Sequence, residues 1–472
     1  MANPTLINLV GTIDGDIIPG TNLTRSDHLS IKPGALLDAN GGFLIMEARE
    51  IISEPGAWSV LLRTLRSGMF ELTQLDPFGM WNVGRLKPEP IPVDIKVILV
   101  GDPETHYLLD QYEPRFANLF KVLADFNDTI KRDASGFDAY SRVLARLAES
   151  DGLKPFRKDA VAMLIEHGAR ICSQGDRLTS RFGRISDVAR EASFIAGENA
   201  HSEVQAEDVI LSIQHSRDRA NLPSRRFQRL IADSTILIDV KGEVIGQVNG
   251  LAVTSAGPLV YGFPTRITAT IGPGHAGVIN IERESDLSGS IHTKGFMILS
   301  GLFRHVLRLD HPMAFSSSIA FEQSYGGIDG DSASGAEFCC LLSALTNTAL
   351  RQDLAMTGAI DQKGHILPIG AVTEKVEGYY DACCSLGLTG TQGVIIPRSN
   401  SDELMLRLDV VDAIDQGRFH VYPVSRIEQA VELFMGIPFG DLDNPEAGSV
   451  LAVARQKAHD YWKSAMKHGG EE

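Results

Sequence analysis

Tyr325-Gly-Gly-Ile-Asp-Gly-Asp-Ser-Ala-Ser-Gly-Ala-Glu337 is a glycine-rich turn that delivers Ser332 to the start of a strongly helical apolar run, SGAEFCCLLSALTNTAL. A hydroxyl at a helix start sits beside backbone N–H groups that have no intrahelical acceptor. Such donors can hold the oxyanion of a tetrahedral intermediate. The same placement suits a plain helix cap at Ser332 or Ser334, and this window alone favours the cap. A serine hydroxyl is a weak nucleophile at neutral pH and needs a base. No G-x-S-x-G elbow occurs, and no histidine stands close by in sequence. Lysine serves when burial strips its hydration and lowers its pKa. Lys375 closes Ile366-Leu-Pro-Ile-Gly-Ala-Val-Thr-Glu-Lys375, an apolar strand and turn that lead into a helix. A lysine at a helix start is by itself far more often a solvated surface residue.

Taken together, the two windows resemble the Lon peptidase family. There the serine sits in D-G-P/D-S-A-G/S, matched by Asp329-Gly-Asp-Ser-Ala-Ser334, and the lysine closes P-I-G-G-hydrophobic-x-E-K, matched by Pro368-Ile-Gly-Ala-Val-Thr-Glu-Lys375 with Ala371 in place of the second glycine. The two residues are 43 positions apart, as in the family. The resemblance covers roughly residues 240 to 435 and implies a serine endopeptidase with Ser332 as nucleophile and Lys375 as base. Thr357, in Met356-Thr-Gly358, matches a threonine that orients the lysine. Asp329 and the TEK ending look like the LonB-type and related Lon-like branches. Asp329 is expected to bond the lysine or order the serine loop, with a turn-forming role equally open. The histidines that LonA-type members carry before the serine are absent from Ser318-Ile-Ala-Phe-Glu-Gln323. The segment Val278 to Glu284, holding Ile279, Asn280, Ile281 and Glu282, resembles the strand that pairs with extended substrate. Backbone pairing of that kind gives affinity for unfolded chains with little sequence preference.

The expected fold class is α/β within a multidomain α+β chain. Residues 1–130 alternate short apolar runs (GGFLIMEA, VDIKVILVG) with the helical spacing of Trp58 to Arg66. From 131 to 238 helical periodicity takes over, with Gly152 as a C-cap, and Arg217 to Arg229 reads as a solvated connector around Pro223. Residues 239–440 carry alternating strands and then helices, and 441–472 reads as a terminal helical tail. The first two regions resemble a degenerate AAA+ α/β module and its α-helical lid, and the third the Lon-type α+β protease domain. Where that module has its Walker B segment the chain reads Pro33 to Glu47, with Met46 in place of the metal-holding aspartate. No G-x-x-x-x-G-K-S/T sequence occurs, and the next strand ends Val100-Gly-Asp102. The resemblance therefore implies cleavage without ATP hydrolysis, with no cofactor and no metal. The alternative is a fragment of an ATP-dependent Lon protease whose phosphate loop lies outside this chain. Phe78, Met80 and Trp81 fall in a Gly/Pro-flanked loop that in related rings lines the axial pore, a local apolar cluster being the even alternative. Arg184 and Arg190 lie where the lid's nucleotide-sensing arginine sits, and here salt bridges are their expected role.

A formal charge of −16 argues against a nucleic-acid partner, which wants clustered Lys and Arg. The five cysteines, four of them in adjacent pairs, have no zinc spacing and read as reduced, buried apolar residues. No run reaches the roughly 18 apolar residues of a membrane span, and the N-terminus lacks a basic, apolar leader, so a cytoplasmic protein with no membrane partner is expected. By resemblance the partners are unfolded polypeptides and further copies of the chain in a hexamer. A chaperone-like ring with an idle site and a small-molecule acyl hydrolase are the competing classes.

Overall fold

Two parallel strands, β1 (Phe43–Glu47) and β2 (Lys96–Val100), run through the first of two units into which the chain divides, residues 1–126 and 127–472. The computed structural model describes residues 1, 3–14, 16–17, 24–25, 27–72, 88–257 and 259–468. Phe78, Met80 and Trp81, the expected pore loop, lie outside the described residues. Side chains alternate along β1: Leu44 and Met46 enter a core with Leu61 and Phe70, while Phe43 and Ile45 stay exposed, as do Ile98 and Val100 on β2. Helix α1 (Ala57–Ser67) buries Ala57, Val60, Leu61 and Thr64, one helical stripe, and ends on left-handed Gly68. Helix α2 (Pro103–Tyr112) starts with proline at its first position and is capped by Asp102, whose carboxylate accepts the Thr105 N–H.

In the second unit α3 (Ala134–Asp151), α4 (Lys158–Cys172), α5 (Phe182–Glu198) and α6 (Ala206–Ala220) pack around Tyr140, Leu144, Leu164, Ile185 and Val209. The expected Gly152 C-cap is there, in the left-handed conformation. The expected solvated connector is not. Arg217 to Arg229 is the end of α6 and most of α7 (Leu222–Ala232). Pro223 sits in the first turn of α7, where its missing N–H costs nothing, and four-residue spacing lets Phe227 pack on Phe263 while Ile231 is buried.

The rest of the unit is built on a seven-stranded mixed sheet. Its elements in chain order are β3 (Gln247–Ala256), β4 (Leu259–Pro273), β5 (Gly277–Asn280), α8 (Ile281–Glu284), α9 (Ser290–Leu307), β6 (Phe315–Phe321), α10 (Ser334–Thr346), β7 (Leu354–Met356), α11 (Val372–Leu386), β8 (Gly393–Pro397), β9 (His420–Val424) and α12 (Val450–His468). The strand order is β5-β6-β4-β3-β7-β8-β9. β3, β4 and β6 pair antiparallel, and the remaining pairs are parallel. Helix α10 is buried nearly all round, which is why its sequence lacks an amphipathic stripe. Val450, Leu451, Ala454 and Ala458 of α12 belong to the same core. The expected terminal tail is thus a packed helix, stabilised by its apolar face.

Candidate active site

The serine loop is stitched to the end of β7. The Gly358 N–H donates to Ser332 O at 2.7 Å, and the Gly335 N–H donates to Gly358 O at 3.1 Å. Thr357 follows β7 directly, and its hydroxyl donates to Ser332 O at 3.4 Å. Helix α10 begins two residues after Ser332, and Ala333, its N-cap, makes no side-chain cap bond. Ser334 is a structural pin: its hydroxyl donates to Asp331 O and accepts the Ile360 N–H. Ser332 is therefore not a cap, and its Oγ is left to another partner.

That partner is Lys375, in the first turn of α11. Its Nζ donates to Ser332 Oγ at 2.8 Å and to Thr357 Oγ1 at 3.2 Å. Lys375 is 3% exposed. Burial pulls its ammonium down to about 8, opposed by the nearby Asp331 carboxylate. Two glycines let α11 come so close. A Cβ on Gly262 of β4 would stand 2.2 Å from Glu374 O and 2.6 Å from Lys375 Cα, and one on Gly378 would stand 2.0 Å from Gly262 O. Ala371, the residue before α11, has φ of +55°. A left-handed backbone favours glycine, which gives a physical reason for the second glycine of the family pattern.

Other expected residues take different places. Asp329 does not bond the lysine: its Oδ1 accepts the N–H groups of Ile291, His292 and Gly330, tying the serine loop to the start of α9. The acidic group that acts on Lys375 is Asp331, which sequence reasoning passed over although it adjoins Ser332. The expected strand stops at Asn280. Ile281 and Glu282 lie in the helical turn α8, because the Asn280 side chain accepts the Arg283 N–H and caps it. Ile279 and Asn280 remain on β5, the outermost strand on its side of the sheet. The helix-start amides expected to hold the oxyanion are narrowed by their partners. The Ser334 and Gly335 N–H groups are already taken by Asp331 O and Gly358 O, whereas those of Ser332 and Ala333 have no partner among the described residues. Arg190 pairs with Asp151 and Asp187.

In the first unit, Met46 is buried in the core and the β1 strand ends on exposed Glu47. A thioether does not hold a hard cation, so these residues do not fit Mg²⁺. Among the described residues no group of three or more His, Cys, Asp or Glu stands ready for a metal, and no helix is long and apolar enough to cross a membrane. All five cysteines are free thiols; Cys384 is exposed, unlike the burial expected of it. A cavity of about 530 Å³ between α4, α6 and α11 is lined by Arg170, Glu377 and Arg407, but not by Ser332 or Lys375.

Residues 238–436 match the family described as the Lon protease (S16) C-terminal proteolytic domain, residues 1–127 the LonB-like AAA domain, and residues 155–219 the archaeal LonB AAA+ ATPase lid domain. A Lon protease homolog of Escherichia coli (strain K12) is 32% identical over 417 residues, covering 87% of this chain and 69% of the relative. The chain belongs to the Lon protease family. A Haemophilus influenzae Lon protease homolog is 32% identical over 420 residues, covering 87% and 68% of the two chains, and the archaeal Lon protease of Thermococcus kodakarensis is 25% identical over 471, covering 97% and 68%. As a Lon-type protein it is a serine endopeptidase of the Ser–Lys class, with a LonB-type AAA module and lid ahead of the proteolytic domain. The Lon family acts on proteins and assembles into oligomers.

Proposed function

We propose that Ser332 is the nucleophile of this Lon-type endopeptidase and Lys375 its general base. The observation that carries the reading is a 2.8 Å contact between Nζ and Oγ, made by a lysine that is almost wholly buried. Neutral Lys375 accepts the Ser332 proton as Oγ attacks the peptide carbonyl, and the resulting ammonium protonates the leaving amine. Water then attacks the acyl-enzyme with Lys375 again as base. Thr357 orients the amine, and Asp329 orders the loop. The unpartnered N–H groups of Ser332 and Ala333 are the donors for the oxyanion, where each such bond is worth about 10²–10³ in rate. An extended, unfolded polypeptide is bound by adding to the free edge of β5, where backbone bonds supply affinity. Ser332→Ala and Lys375→Ala should each abolish cleavage of an unfolded protein, and near-normal turnover by either contradicts the dyad.

The chain's own residues supply no phosphate loop and no metal-holding aspartate on β1, so we assign cleavage without ATP hydrolysis by this chain, within a cytoplasmic homohexamer. A specific observation favours the second reading. The parallel pair β1–β2 leaves Phe43, Ile45, Ile98 and Val100 exposed, and parallel sheets are ordinarily covered on both faces. A further α/β segment lying outside this chain and carrying a phosphate loop would cover that face. Calorimetry with ATP separates the two readings: micromolar affinity for this chain contradicts the first.

A further inference from the structure

Beside the serine loop lies a buried polar cluster that the dyad does not use. Glu337 of α10 (1% exposed), Glu282 of α8 (4%), His292 of α9 (1%) and Asn280 at the end of β5 (0%) come together there. His292 Nε2 is 3.2 Å from Asn280 Nδ2 and 3.7 Å from Glu337 Oε1. Glu282 Oε1 accepts the Phe321 N–H at 2.7 Å. Two buried carboxylate oxygens, Glu282 Oε2 and Glu337 Oε1, have no hydrogen-bond partner among the described residues. A carboxylate as enclosed as that of Glu337, with the Glu282 carboxylate in the same cluster, resists ionisation, because it is unsolvated and feels a like charge.

The proton belongs to Glu337. Burial, with Glu282 adding to it, pushes its carboxyl up to about 8, so at neutral pH it is a neutral acid, with His292 Nε2 3.7 Å from its Oε1. Burial holds His292 below its ordinary value, opposed by Glu282, a hydrogen bond to the Gly330 backbone and Asp329. The neutral ring can accept from Asn280 while its other nitrogen serves Gly330. Glu337 also acts on Cys340 of the same helix, whose thiol is pushed up mainly by burial with Cys339 and Glu337 adding to it. The same elements grip the serine loop. The Ile291 and His292 N–H groups donate to Asp329, the Gly289 N–H donates to Ile328 O, and a Cβ on Gly295 would stand 2.9 Å from Asp331 Cβ.

We infer that Glu337, Glu282 and His292 form a buried acid latch that fixes the Ser332 loop against the end of β5, and that Glu337 is a positioning residue of the peptidase reaction. The inference rests on Ser332 being the nucleophile and β5 the substrate edge. Ionising Glu337 above about pH 8 puts an unsolvated negative charge into the cluster that grips the loop, and loosens it. An unfolded glutamate titrates near 4.5 and this one near 8. The folded state therefore holds the extra proton between those values, and its stabilising effect fades as pH rises through that window and changes no further above it.

Two measurements on the full chain test this. In turnover of a fluorogenic peptide, Glu337→Gln keeps an amide donor but has no proton to lose. It should stay within about threefold of the parent kcat at pH 7 and should lack the parent's decline above about pH 8. Glu337→Ala should lose tenfold or more in kcat with KM within about twofold. In the Ser332→Ala background, denaturation midpoints with and without Glu337→Gln should diverge as pH rises from about 4.5 to 8 and then run parallel. Superimposable pH profiles of parent and Glu337→Gln in both measurements, or parent-level kcat in Glu337→Ala, overturn the latch. Turnover by Ser332→Ala itself overturns the nucleophile, while the denaturation comparison still decides the Glu337 proton.

Discussion

A lysine held 3% exposed beside a serine is expensive to keep charged, and that cost is what suits it to the proposed role of base. With a pKa of about 8, roughly a quarter of Lys375 is neutral at pH 7.5, against about one in a thousand for an ordinary lysine. The same shift opposes folding. The unfolded lysine holds its proton up to 10.5 and the folded one only to about 8, so the penalty is full below 8 and disappears as pH rises to 10.5. Lys375→Met should therefore abolish turnover yet stabilise the fold at pH 7 by about 2–3 kcal/mol, with the gap in urea midpoints closing toward pH 10. Ala371 adds a second local strain. Ala371→Gly should raise stability by about 0.5–1 kcal/mol, because glycine occupies the left-handed region freely, and thermal melts with unchanged peptide turnover check it. Both members of the proposed dyad were legible in the sequence because two motifs at a fixed separation coincide. Glu337 was not, because a glutamate in an apolar helix says nothing of its neighbours until Glu282 and His292 arrive from elements 55 and 45 residues away in sequence.

At the scale of elements, α11 is clamped from two sides. Gly262 and Gly378 bring its backbone onto β4, while Arg170 of α4 grips Glu377 with two bonds at 2.7 and 2.9 Å and also donates to Met405 O. Gly262→Ala should force α11 outward and cut kcat by a factor of about ten or more, since near-contact geometry governs such steps; peptide kinetics beside circular dichroism separate this from unfolding. Arg170→Met removes two charged bonds from the Glu377 carboxylate, 8% exposed, leaving it the Arg407 N–H and the Arg407 guanidinium at 3.9 Å, and should cost about 1.5–3 kcal/mol of stability, read from urea denaturation. Helices and strands were legible wherever one period dominated. The misread connector at Arg217 to Arg229 and the overlong strand through Glu282 share a cause. Local charge and β-branched residues outweighed a single deciding contact, the tertiary packing of Phe227 on Phe263 in one case and the local Asn280 cap in the other.

At the scale of the whole molecule, the proteolytic domain encloses its own core, with α10 at the centre and α12 across it. The first unit instead leaves one apolar sheet face open. If this chain cleaves without ATP hydrolysis, degradation of an unfolded protein should proceed at the same rate with and without ATP and Mg²⁺. A strong dependence favours a segment supplied from outside. The account nevertheless turns on one amine being neutral beside one hydroxyl, and the direct probe is acylation of Ser332 by a peptide active ester, followed in single turnover as pH is raised. Between about pH 5.5 and 7.5 the rate should climb close to tenfold per unit and level near 8, with Lys375→Ala unreactive. A rate that ignores pH in that range, or that rises only near 10, would contradict it.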